Sequence, residues 1–142
     1  MLFFRQVCLC LLLSLFLVAC GPATPSISLA PTQAIIQRAI ALQLEQSQQQ
    51  LSAQLETTDP GLKISHLKVQ TIEPIYLGHL PTYHLQGQYD LEVTLPNQDV
   101  TQAANEFDLY LQRQQEGKTW RWLKPEPSET EGRDRWVSYR VR

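Results

Sequence analysis

Cysteine is scarce in this sequence and absent from most of it. The three cysteines stand at positions 8, 10 and 20, and none follows. Whatever folds after Cys20 therefore has no disulfide and no thiolate metal site. Charged residues make up only 18% of the chain. Twelve basic residues, one of them Arg5 near the start, face fourteen acidic ones, so the part from Cys20 onward stands at about −3. No stretch concentrates Lys and Arg as a nucleic-acid surface requires, and no nucleic-acid partner is expected. Catalytic motifs are missing as well. Ser47, Ser52, Ser65, Ser128 and Ser138 lie in no Gly-Xaa-Ser-Xaa-Gly context, and the histidine spacing fits no metal motif. The expectation is a non-enzymatic protein with no cofactor and no metal.

Long apolar runs are missing too, with one exception. Val7 to Ala19 is a 13-residue apolar run broken only by Ser14, and Arg5 precedes it. A membrane-spanning helix needs about 20 apolar residues, so this run suits the core of an export signal better than a permanent span. It ends in Leu17-Val18-Ala19-Cys20-Gly21. That junction resembles the lipobox of bacterial lipoproteins. The resemblance implies a diacylglycerol thioether on Cys20, cleavage between Ala19 and Cys20, and acylation, with palmitate for example, of the new amine. Two or three acyl chains matter, since one gives only marginal membrane binding. The implied location is the exported side of a membrane, inner or outer, with the lipid on Cys20 as the membrane contact.

The rest divides into a tether, residues 20–31, and a single domain, residues 32–142. Gly21 to Pro31 holds three prolines among small residues, which reads as an extended tether. Thr32 to Glu56 reads as a helix. Thr32 is placed to cap it, and Ile36, Ile40, Leu44, Leu51 and Leu55 fall on one face. Glutamines fill the opposite face, and Thr58-Asp59-Pro60-Gly61 stops the helix. Beyond Gly61 the apolar period changes to two. Leu62, Ile64, Leu67 and Val69 mark a strand whose phase slips near Ser65 and His66, the sign of a β-bulge. Thr82 to Leu95 is the clearest strand, with Tyr83, Leu85, Gly87, Tyr89, Leu91 and Val93 on its buried side. Gly87 in that row predicts a bend or a close approach. After a turn at Pro96 to Asp99, a third strand carries Phe107, Leu109 and Leu111. Glu116-Gly117-Lys118 turns into a fourth with Trp120 and Trp122, and Trp136 to Val141 offers a fifth.

The predicted fold is therefore α+β: one long N-terminal helix packed on a four- to five-stranded antiparallel meander. This order resembles cystatin-like and nuclear transport factor 2-like folds, in which a curved sheet wraps a helix. The inhibitory Gln-Xaa-Val-Xaa-Gly loop of cystatins is absent, so protease inhibition does not follow. The whole chain also resembles small bacterial lipoproteins, a class that brings no activity with it.

Four features remain as candidate sites. His66, His79 and His84 lie on two strands and the connection between them, with Asp90 near in sequence; they read as solvated surface histidines. The connection Glu73 to Pro81 is unusually apolar, so Ile75, Tyr76, Leu77, His79 and Leu80 either seal one end of the core or contact a partner. Tyr83, Tyr89, Trp120 and Trp122 fill the core or line a pocket beneath the helix. Arg133, Arg135, Arg140 and Arg142 could meet lipid headgroups, but Glu126, Glu129, Glu131 and Asp134 stand beside them in sequence. Two functions suit this set. The first is an accessory module in the cell envelope that binds another protein without catalysis. The second is a carrier of a small molecule or lipid between helix and sheet.

Overall fold

The computed structural model describes residues 23–55, 61–95, 97–127 and 135–142. The leader, Cys20, Thr58 to Pro60, Pro96 and residues 128–134 lie outside the described residues, as do the side chains of Leu51 and Leu55. The helix, α1, spans Gln33–Leu55. Five strands follow: β1 (Gly61–Leu77), β2 (Leu80–Leu95), β3 (Gln98–Arg113), β4 (Trp120–Glu126) and β5 (Arg135–Val141). They pair consecutively and antiparallel in one sheet. The fold is α+β, one helix against a five-stranded meander. No described helix is long and apolar enough to cross a membrane.

The helix begins where its sequence says it should. The Thr32 carbonyl accepts the first helical bond from the Ile36 amide at 3.1 Å. Ile36, Ala39 and Ile40 are buried against the sheet. Facing them are Ile64, Tyr83, Leu85, Leu91, Phe107, Leu109, Leu111, Trp120, Trp122 and Val141. Each large apolar side chain so buried contributes about 1.5–3 kcal/mol, and this face carries most of the driving force. One glutamine of the polar face has a structural role: Gln37 Nε2 donates to the Ile64 carbonyl at 2.9 Å.

The helix touches β1, β3 and β5. β1 and β5 are the opposite edges of the sheet. Five flat strands would set those edges about 19 Å apart, and β-bulges curl the sheet toward α1. The curl is built at one line across three strands. The register slips between Ser65 and Lys68 and between Val69 and Thr71 on β1, and again between Tyr89 and Leu91 on β2. His66 and Ala104 adopt left-handed backbone there, with φ of 49° and 55°. Asp90 braces both irregularities, accepting from the Ala104 amide at 2.9 Å and contacting His66 Nδ1 at 3.0 Å. Gly87 lies on the same line. A Cβ at this position would sit 2.2 Å from the Lys68 carbonyl oxygen and 2.8 Å from the Phe107 ring. Only glycine admits that approach.

Two expectations change. Residues 73–81 are not a loop: β1 runs on to Leu77 and β2 starts at Leu80, so the turn shrinks to Gly78 and His79. Both have positive φ, 58° and 65°, the backbone of the tightest hairpin turn. Nor is the tether free along its whole length. Pro25 and Pro31 are buried, and a short 3-10 turn at Ile27–Leu29 lies between them. The Tyr83 hydroxyl donates to the Ser26 carbonyl at 2.6 Å, which pins this segment to the sheet.

Candidate functional site

Alternation along β2 and β3 sends Tyr83, Leu85, Leu109 and Leu111 toward the helix and His84, Asp108 and Tyr110 to the opposite, outer face. Among the described residues no helix covers that face, yet it is organised. The His84 ring lies parallel to Tyr110, centroids 4.2 Å apart. Trp136 of β5 meets Tyr110 edge-on at 5.0 Å. His84 Nε2 contacts Asp108 Oδ1 at 2.7 Å, and Nδ1 lies 3.5 Å from Glu73 Oε2. Gln86 Nε2 donates to the second Asp108 oxygen at 2.8 Å. Burial pushes the Asp108 carboxyl up, but the bonds from Gln86 and His84 and the charge of His84 outweigh it and hold it below its ordinary range. The His84 side chain is only 17% exposed, so it is not the solvated histidine the sequence suggested. His66, at 81%, is. Each nitrogen of the His84 ring faces a carboxylate oxygen, Asp108 closely and Glu73 at longer range.

The predicted contact residues divide between the two faces. Ile75, Leu77 and Leu80 share the outer face with His84, since Ile75 pairs with Thr82, Leu77 with Leu80, and Glu73 with His84. Gln112 ties this corner together, donating to the Leu77 carbonyl at 2.9 Å. Tyr76 lies on the inner face and is 49% exposed. His79 is exposed in the turn.

The predicted pocket residues are core. Tyr83 is fully buried, and Tyr89, Trp120 and Trp122 nearly so. Tyr83 packs on Trp120 with centroids 6.0 Å apart, Tyr89 on Phe107 at 6.4 Å, and Trp122 on Tyr139 at 5.0 Å. Trp122 also borders an open slot of about 440 Å³. The slot exists because β4 pairs with β3 only through Leu123, after which the two strands part. Asp108 and Tyr110 form one wall, Lys124 and Pro125 the other, and Gln43, Gln46 and Ser47 of the helix the floor. The outer-face cluster and the slot thus share Asp108 and Tyr110. Among the described residues, no group of three or more His, Cys, Asp or Glu is arranged to hold a metal ion.

Sequence reasoning missed Glu73, Asp108, Tyr110 and Trp136 as a group. One signal was present: Tyr110 is a large aromatic in the wet row of β3, between Asp108 and Gln112. Compared with known proteins, the chain matches no family model, no curated protein and no solved structure.

Proposed function

We propose that this protein is a bacterial lipoprotein whose α+β domain serves as a non-catalytic accessory module, binding another protein of the cell envelope. The observation that carries the anchor is the apolar run Val7 to Ala19 ending at Leu17-Val18-Ala19-Cys20. Support for the binding role comes from the outer face of the sheet. Ile75, Leu77, Leu80, Tyr110 and Trp136 are all half-buried there with no covering layer among the described residues, and His84 and Asp108 order the polar groups among them. An apolar stripe with fixed polar groups suits recognition of a protein.

The anchor is tested with Cys20→Ser. A hydroxyl cannot form the thioether that the dedicated peptidase requires, so the variant accumulates with its leader uncut. Intact mass of the wild type should show the loss of residues 1–19 and the gain of acyl mass. A soluble product starting elsewhere, without acyl mass, refutes the reading. For the partner, crosslinking in membranes followed by purification should recover a second protein, and Tyr110→Ala with Trp136→Ala should lose it. A second reading, a small-molecule carrier, is favoured by the slot beside Trp122, with the ligand held between β3 and β4 rather than under the helix.

A further inference from the structure

The strand register gathers several features at one end of the domain, the end with the turns at Gly78–His79 and 114–119. The docked segment brings Ile27 and Leu29 there, 56% and 41% exposed, because the Ser26 carbonyl is held by Tyr83. Tyr76 stands at this end as well, on the same face as Tyr83, since it pairs with Pro81 while Pro74 pairs with Tyr83. Tyr83 packs on Trp120, and Trp120 pairs with Val141. That pairing sets Arg140 and Arg142 at this end, while Arg135 pairs with Glu126 at the other end of β5. In sequence, Arg140 and Arg142 seemed compromised by Glu126 to Asp134. In the fold, six residue steps of extended strand, about 20 Å, separate Arg135 from Val141. Lys118, in the turn after β3, is exposed at this end too; Glu116 in the same turn lies within reach of the Arg140 charge. Arg38 of α1 borders Arg140 and Arg142 across a cleft that also holds Glu45.

We propose that this end rests on an anionic lipid bilayer, with Ile27, Leu29 and Tyr76 entering the interface and Lys118, Arg140 and Arg142 meeting headgroup phosphates. Exposed aliphatic and aromatic side chains flanked by cations are the chemistry of interfacial binding. The chain itself argues for this occupant. Pro25 is buried against the domain, and five peptide units separate it from Cys20. They span at most about 18 Å. A lipid on Cys20 therefore holds the patch beside the membrane and leaves little room for another protein between them. The inference rests on the lipoprotein reading, and it moves Tyr76 from the protein-binding set to the lipid-binding one.

The lack of cysteine after Cys20 makes the test clean, since a cysteine introduced at an exposed position is the only thiol once Cys20 is lipidated. Ile27→Cys, Tyr76→Cys and, at the opposite end, Leu95→Cys are labelled with an environment-sensitive fluorophore in the lipidated protein. The protein is reconstituted into vesicles of phosphatidylcholine and phosphatidylglycerol with brominated acyl chains. Labels at 27 and 76 should brighten severalfold and be quenched by the bromine, while the label at 95 behaves as in water. Replacing Lys118, Arg140 and Arg142 with Gln should weaken the quenching, each charge counting for about a fivefold change in interfacial occupancy. Water-like signals at 27 and 76 on protein that still floats with the vesicles overturn the proposal and leave the anchor standing. Bright labels that bromine does not quench, with crosslinks between two copies, assign the patch to self-association and overturn it too. Protein that fails to float with the vesicles points to failure of the lipoprotein reading instead.

Discussion

The two faces of the sheet are made from the same strands and held by different physics. On the inner face Tyr83, Leu85, Leu109 and Leu111 are completely buried under α1, and their stability is area removed from water. On the outer face the alternate residues His84, Asp108 and Tyr110 have no second layer above them among the described residues. Order there comes from ring stacking and charge-assisted hydrogen bonds. Burial in the core tolerates little change in volume. A half-exposed network contributes less, because water competes for every polar contact. The inner face therefore determines whether the domain folds, and the outer face is free to be specified by what it binds.

Paired truncations would break or sharpen this contrast. Leu109→Ala should cost about 3 kcal/mol, the usual result of opening a cavity in a closed core. His84→Ala, one residue from Leu85 in sequence and on the other face, should cost about 1 kcal/mol, the worth of one aromatic contact and weak ion pairs. Urea denaturation midpoints measure both. Equal losses would mean that the outer cluster is structural and would weaken the case for it as a binding surface.

Gly87→Ala comes next, at about 1–3 kcal/mol. It adds one methyl group at the line where the sheet bends, against the Lys68 carbonyl and the Phe107 ring. The backbone oxygen cannot move aside as a side chain would. The loss should therefore exceed that of Gly117→Ala, where the nearest atoms belong to the flexible Arg113 side chain and the strain is the positive φ of 73°. Thermal unfolding of the two variants compares them. A smaller loss at Gly87 than at Gly117 would show that the bend does not depend on this contact.

The bend was legible before the structure. The slip in apolar phase between Ile64 and Leu67 located the bulge at His66, and a glycine in a buried row marked the close approach. Helix and strands were legible for the same reason: each buries one side, and burial writes a period into the sequence. The first part of β3, Gln98 to Asn105, was not legible. Its residues are exposed or half-exposed throughout, so neither face imposes an alternation. Glu73 to Pro81 was misread because Pro74, Gly78 and Pro81 punctuate it. As a residue of an edge strand, Pro74 forms no bond toward a further strand, so its missing amide costs nothing there. The docked tether left no mark at all, since the group that holds it is the backbone carbonyl of Ser26. His84 finds Glu73 and Asp108 only through strand register, which no local pattern records.

The weakest effect is the one that separates the faces by pH. Burial raises the Tyr83 and Tyr89 hydroxyls above their ordinary value of 10.0; for Tyr83, Arg113 opposes that rise and Tyr76 adds to it. Their contribution is complete below pH 10 and is lost as pH climbs through the raised folded values. Asp108 has the opposite sign. With its folded value below 3.8, its contribution is present above that pH and disappears as pH falls through the folded value. Because the Asp108 side chain is 57% exposed, the acid arm should amount to only about 0.3 kcal/mol. Denaturation midpoints of wild type and Asp108→Asn, compared at neutral pH and near pH 2, isolate it. The two proteins should converge as Asp108 becomes protonated, because the amide then differs little from the neutral acid. Tyr83→Phe should flatten part of the alkaline loss while losing the bond to Ser26, at about 1 kcal/mol. If Asp108→Asn changed the alkaline arm, or Tyr83→Phe the acid one, the faces would be coupled through the strands, and a partner bound outside could be sensed by the core beneath α1.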